Sequence, residues 1–167
     1  TYYLDRMRKG EPIIVHGDGA TLWGPCHRDD VAGAFVAALG NETTYGEAYH
    51  VTSEEVISWN QYHEYVADAM DAPDPDLVYI PTDKLVRAVP ERTDPLVDHF
   101  QYSTVFDNSK AKRDLYFEYT ISFREGVERT IEFMDESEID DWDSENDDEI
   151  IAAWRDASQE FVETLQE

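Results

Sequence analysis

Cysteine is almost missing from this chain. Cys26 stands alone among 167 residues, so no disulfide can form within the molecule. Lysine is nearly as scarce, with only Lys9, Lys84, Lys110 and Lys112. No apolar run comes near the roughly 20 residues a membrane-spanning helix needs, and no segment has the pattern of a signal peptide. No membrane association and a cytoplasmic location are therefore expected. A zincin-type metal site is excluded, because His63-Glu64 lacks a second histidine at the required spacing. His16 with Asp18 has no third partner at ligand spacing, so no metal is expected. No internal repeat is present.

What fills the chain instead is negative charge. It has 38 acidic residues against 13 basic ones, a net charge of -25. Such a surface repels phosphodiester backbones, which makes nucleic acid an unfavoured partner. It suits cytosol at molar salt, where the screening length falls to about 3 Å, and a halophilic source is expected. Hydrophobic residues still make up 41% of the chain, enough for the core of one domain.

The residue pattern reads as short strands alternating with helices. Arg6, Arg8 and Lys9 before Gly10 form a helix C-terminus. Ile13-Ile14-Val15 is a strand, and Gly17-Asp18-Gly19 a turn. Asp29 or Asp30 is placed to cap a helix over Val31–Leu39, which Gly40 ends. Ala48–Thr52 is a second strand. Ser58-Trp59-Asn60-Gln61 is a capping box that opens a helix to Met70, with Trp59, Tyr62, Val66 and Met70 on one face. Leu77–Ile80 is a third strand. Thr82 caps a short helix through Val89, Glu91–Asp98 is polar connection, and Ser109–Leu115 is a short helix. Ser122-Phe123-Arg124-Glu125 opens another helix, to Met134.

Ten of the fifteen residues from 135 to 149 are acidic, the signature of a solvated linker. Beyond it, Ile150, Trp154, Ala157, Phe161 and Leu165 form one apolar stripe on a terminal helix. The stripe would dock on the protein's own surface or form a homodimer contact. The expected organisation is thus a folded part over 1–134, an acidic linker over 135–149 and an amphipathic helix over 150–167.

The order of five local patterns resembles the NAD-dependent epimerase/dehydratase family, the extended short-chain dehydrogenases. These are the strand before Gly17-Asp18-Gly19 with His27-Arg28-Asp29-Asp30-Val31-Ala32, then Gly46-Glu47-Ala48-Tyr49-His50-Val51-Thr52, Ile80-Pro81, Phe106-Asp107-Asn108-Ser109-Lys110 with Leu115, and Ser122 to Gly126. The resemblance covers Tyr2 to Met134 and, with the charge, implies a halophilic archaeal member. It implies an α/β fold, the C-terminal substrate-binding lobe of a Rossmann-like parent that uses NAD or NADP. It also implies that the lobe binds no cofactor and has no catalytic residue itself. The family's Gly-x-x-Gly-x-x-Gly turn is missing, and no Tyr is followed by Lys four residues later. The first residue, Thr1, and the helical look of Tyr2–Met7 suit a piece of a longer chain.

The resemblance also implies where a small-molecule substrate would touch. Trp23 takes the place of an arginine, four residues before His27, that grips substrate phosphate in the nucleotide-sugar epimerases. An indole cannot supply that bidentate fork, so a nucleotide sugar is in question. The wording around Trp23 and Phe106–Asp114 looks more like the branch of the chloroplast stem-loop RNA-binding proteins. Arg92 lies where a second substrate arginine is often found, and Tyr102 is placed to line the cleft. The family's glycine after Leu115 is Tyr116 here, so that turn is expected to take another form. Asp29-Asp30 reads as a helix cap, His27 as a structural residue, Cys26 as a small buried one, and Phe100 and Phe106 as core.

Two functions follow: the substrate lobe of an NAD(P)-dependent enzyme acting on a sugar-like or other hydroxylated compound, or a non-catalytic binding module. The charge makes its own prediction. Circular dichroism should show more ordered structure in molar KCl than in dilute buffer, where unscreened acids repel one another; identical spectra would remove the halophilic reading.

Overall fold

The computed structural model describes residues 3–137 and 146–166. Helix α1 (Tyr3–Lys9) ends at Gly10, whose φ of 68° lets the Glu11 amide reach back to the Arg6 carbonyl at 2.8 Å. Strand β1 (Ile13–His16) follows. It pairs in parallel with β4 (Leu77–Ile80), in register from Ile13 opposite Leu77 to His16 opposite Ile80. The turn after β1 has positive φ at both Gly17 and Gly19. A Cβ at Gly19 would lie 2.0 Å from Asn60 Oδ1, so only glycine lets the turn nest against Asn60.

A second, very small antiparallel pair joins β2 (Leu22–Trp23) to β3 (Ile57–Ser58). From β3 the chain enters α3 (Trp59–Ala69) through the expected capping box, with both of its hydrogen bonds formed. Helix α7 (Phe123–Glu136) packs along α3. Between them and α1 lies the main core, with Leu4, Met7, Ile13, Val66, Ile131 and Met134. A second cluster joins Ala34 of α2 (Arg28–Ala38) to Ala111 and Leu115 of α6 (Ser109–Leu115) and to Phe117. A third joins Val78 and Ile80 to Leu85 of α4 (Thr82–Ala88) and Ile151 of α8 (Asp147–Thr164). The fold is mixed α/β with short strands, as the pattern implied.

Several local expectations are corrected. Ala48–Thr52 forms no strand. The Asn108 side chain instead binds both backbone groups of Thr52, receiving its N–H at 3.1 Å and donating to its carbonyl at 2.8 Å. Neither Asp29 nor Asp30 caps α2; His27 does, its Nδ1 accepting from the Asp29 amide. Thr82 is the first residue of α4, behind Pro81, and gives no side-chain cap. Glu91–Asp98 is not simple connection: Pro90 opens α5 (Pro90–Pro95), and a π-helical turn, Leu96–Phe100, follows. Tyr116 takes the left-handed conformation itself, at φ 52°, in place of a different turn.

The acidic stretch is flanked more closely by helix than its composition suggested, since α7 runs through Glu136 and α8 opens at Asp147. Residues 138–145 of the expected linker lie outside the described residues. On α8 the deeply buried apolar residue is Ile151, off the expected stripe, with Ile150 and Trp154 half-buried beside it. Ala157, Phe161 and Leu165 are exposed. Among the described residues no helix is long and apolar enough to cross a membrane.

His63 sits inside the main packing layer, 5% exposed, edge-on to Tyr3 and Tyr62. Its buried Nδ1 has no hydrogen-bond partner. Burial, then repulsion from His16, pushes its pKa down from 6.5 to about 4. The unfolded chain therefore takes up this proton first as pH falls. The stability due to neutral His63 is complete above pH 6.5 and is lost down to about pH 4. The loss should reach about 3 kcal/mol. Denaturation midpoints measured across this window should fall less for His63→Phe than for the natural chain; parallel pH profiles would refute the assignment.

Candidate functional site

The two-residue β2–β3 pair fixes Trp23 beside the first turn of α3. There the Trp23 and Trp59 indoles stack, with centroids 4.7 Å apart and planes 11° from parallel. Phe100 meets both edge-on, and Tyr62 closes the group. The π-helical turn delivers Phe100. Its carbonyl accepts hydrogen bonds from His16 Nε2 at 3.0 Å and Thr21 Oγ1 at 3.1 Å. Burial lowers the His16 pKa against the raising effect of that bond, so a neutral imidazole suits the site. The Trp23 Nε1 is buried without an acceptor.

Tyr62 is also a wall of a cavity of about 540 Å³. Its floor is core: Leu4, Val66, Ile131 and Met134. Phe123 and Phe133 of α7 complete the aromatic walls, and His27, Arg28, Asp29 and Arg129 lie around the mouth. Arg129 is bound to Glu125 at 2.6 Å, and both Arg129 and Arg28 lie within 4 Å of Asp29.

The mouth is held by a residue whose function the sequence did not disclose. Asp30 is buried at the start of α2 and accepts from the Thr120 amide at 2.9 Å, the Thr120 hydroxyl at 2.5 Å and the Ile121 amide at 3.1 Å. Burial alone would raise its pKa, but these three donors outweigh it and hold the carboxyl below its ordinary value. Next to it, a Cβ on Gly126 would meet the His27 ring at 3.2 Å, so glycine lets α7 approach the loop closely. Cys26 also lines the cavity, and burial pushes its thiol up to about 11, far from a reactive thiolate.

None of the three expected substrate residues lines this cavity. Trp23 lies in the aromatic group. Arg92 donates to Asp147 of α8 at 2.8 Å. Tyr102 sits 61% exposed on the turn after Phe100. Trp59 and Phe100 were legible as apolar residues, but nothing in their spacing announced a stack around Trp23. The cue for Asp30 was also weak, because two adjacent acids before a helix are the ordinary pattern of a cap.

Comparison with known proteins agrees with this architecture. No family model matches the chain. It is 26% identical to the UDP-glucose 4-epimerase of Mycolicibacterium smegmatis over 132 residues, 79% of this chain and 37% of that protein. It is 28% identical to the chloroplast stem-loop binding protein of 41 kDa b of Arabidopsis thaliana over 78 residues, 47% of this chain and 21% of that protein. Among solved structures, it is similar to UDP-glucuronic acid 4-epimerase from Bacillus cereus in complex with UDP-glucuronic acid and NAD. The TM-score is 0.61 at 18% identity, over 81% of this chain and 39% of that one. The chain therefore has the α/β fold of the C-terminal portion of such epimerases. It spans about a fifth to two-fifths of the length of the proteins it matches.

The Asp30 anchor makes a direct prediction. Asp30→Ala strands two amides and a hydroxyl, and should cost about 2–4 kcal/mol in chemical denaturation. A change below about 0.5 kcal/mol, the level of an ordinary surface substitution, would show that the anchor is not needed.

Proposed function

We propose that this chain is the substrate-binding lobe of an NAD(P)-dependent epimerase/dehydratase or dehydrogenase of a halophilic cytosol. Its substrate would be a sugar-like or other hydroxylated compound, and the lobe alone would not turn it over. The observation that carries this reading is helix α2. One side of it packs on α6, yet Phe35, Val36 and Leu39 on the other are 72%, 69% and 81% exposed. A helix apolar all round is the kind that is covered on both sides. Beside it in sequence, residues 48–52, a strand by their composition, have no strand partner among the described residues. Both features suit docking against a larger sheet, that of a nucleotide-binding half. The NAD in the similar Bacillus cereus enzyme supports the choice of cofactor.

NAD itself does not fit the glycine turn of this chain. The Asn60 side chain occupies the space over Gly19, so that glycine is covered where a dinucleotide turn must be open to pyrophosphate. The nicotinamide chemistry belongs to the other half, and this lobe contributes shape and selectivity. With Trp23 stacked among aromatic rings, it provides no guanidinium fork at that position for a nucleotide-sugar phosphate. The other reading, a nucleic-acid-binding module, is opposed by the net charge of -25.

The test is the gene. A reading frame continuous with this chain should encode an early Gly-x-x-Gly-x-x-Gly and a Tyr-x-x-x-Lys, and its product should bind NAD(P) saturably in calorimetry. The 167-residue chain alone should give no such isotherm. A continuous frame lacking both motifs, or micromolar NAD(P) binding by the isolated chain, would overturn the assignment.

A further inference from the structure

We propose that the cavity between α3, α7 and the start of α2 takes an uncharged, ring-bearing alcohol or ketone, with His27 donating a hydrogen bond to its oxygen. This substrate class rests on reading the chain as a substrate-binding lobe.

Size comes first. At about 540 Å³ the cavity lies within the range of about 300–1,000 Å³ typical of small-molecule sites. Its depth is apolar and its walls include Tyr62, Phe123 and Phe133, which favours a ring over a flexible polar chain. The cations at the mouth are already engaged. Arg129 is bound to Glu125, and Asp29 lies between Arg129 and Arg28. An anionic ligand would have to displace these carboxylates and enter against the field of a strongly acidic protein.

The polar contact follows from the cap. His27 Nδ1 accepts from the Asp29 amide, so that nitrogen carries no proton. In the neutral ring the proton is then on Nε2, and the adjoining Cδ2 edge of the ring faces Gly126, another residue of the cavity wall. A donor selects an acceptor oxygen, a hydroxyl or a carbonyl. The site is also built rather than incidental. Gly126 admits the His27 ring, and Asp30 pins the strand of chain that leads into α7.

The experiment uses the whole chain in molar KCl, with 2-naphthol, naphthalene and UDP as calorimetric probes. The first two should bind in the sub-millimolar range, and UDP should give no heat. His27→Ser keeps an N-cap oxygen while deleting the Nε2 donor. It should weaken 2-naphthol roughly tenfold, the worth of one hydrogen bond, and leave naphthalene unchanged. Phe133→Ala, at the half-exposed rim, should weaken both ring probes. UDP binding as tight as 2-naphthol, absence of ring binding, or a serine variant that affects both ring probes alike would overturn the proposal. None of these results bears on whether a continuous frame encodes an NAD(P)-binding half, so the two readings fail separately.

Discussion

The buried carboxylate of Asp30 is the constraint on which the site depends. Helix α2 begins there, and α7 begins two residues after the segment that Asp30 holds. One side chain thus sets the distance between a helix from the second core cluster and a helix from the first. Desolvating a carboxylate is costly, and three donors, two of them backbone amides with no strand to join, offset that cost. His27 stands at the N-cap of the same helix, and its cap fixes the imidazole tautomer. Position, cap and donor are therefore a single arrangement.

Elsewhere the scarce basic residues are spent on carboxylates. Arg6, almost wholly buried, donates to the Pro12 carbonyl and to Asp148 of α8. Arg92 holds Asp147, whose side chain is fully buried and whose pKa is raised because burial outweighs the arginine's pull. Pairs like these contribute little net stability, since desolvation consumes most of the Coulomb gain. What they fix is where α8 begins, with its first turn over α5 and α1 and Ile151 directed onto β4. The exposed acids have few such partners and depend on salt.

The sequence made the regular elements legible and left the contacts hidden, for physical reasons. The Ser58 box, the Gly10 stop, strand β1 and the α3 face depend on local chemistry, and each formed where its residues stood. The misreadings involve competition at longer range. Thr52 turned its backbone to the Asn108 amide, 56 residues away. Asp30 left its local cap for Thr120, 90 residues away. Tyr116 takes the left-handed region despite the cost of its own Cβ, and there its amide closes α6 on the Ala111 carbonyl. The stack around Trp23 needs β2, α3 and the π-helical turn together, and no periodicity encodes a meeting of three segments.

The same geometry bears on how far the lobe can stand alone. Its sheets have two strands each, one of them only two residues long, and a pair of strands is marginal without a packed face. Stability rests instead on three separate apolar clusters, each closed by a helix. In the cluster beneath α2, Ala34 and Ala111 contribute little area, while Phe35 and Val36 of the same helix are exposed. Covering Phe35, Val36 and Leu39 would therefore add apolar burial to this helix. A docked nucleotide-binding half would stabilise α2, and α2 carries the Asp30 anchor that shapes the cavity mouth. In that arrangement, docking of a second half and the shape of the cavity would be coupled through one helix.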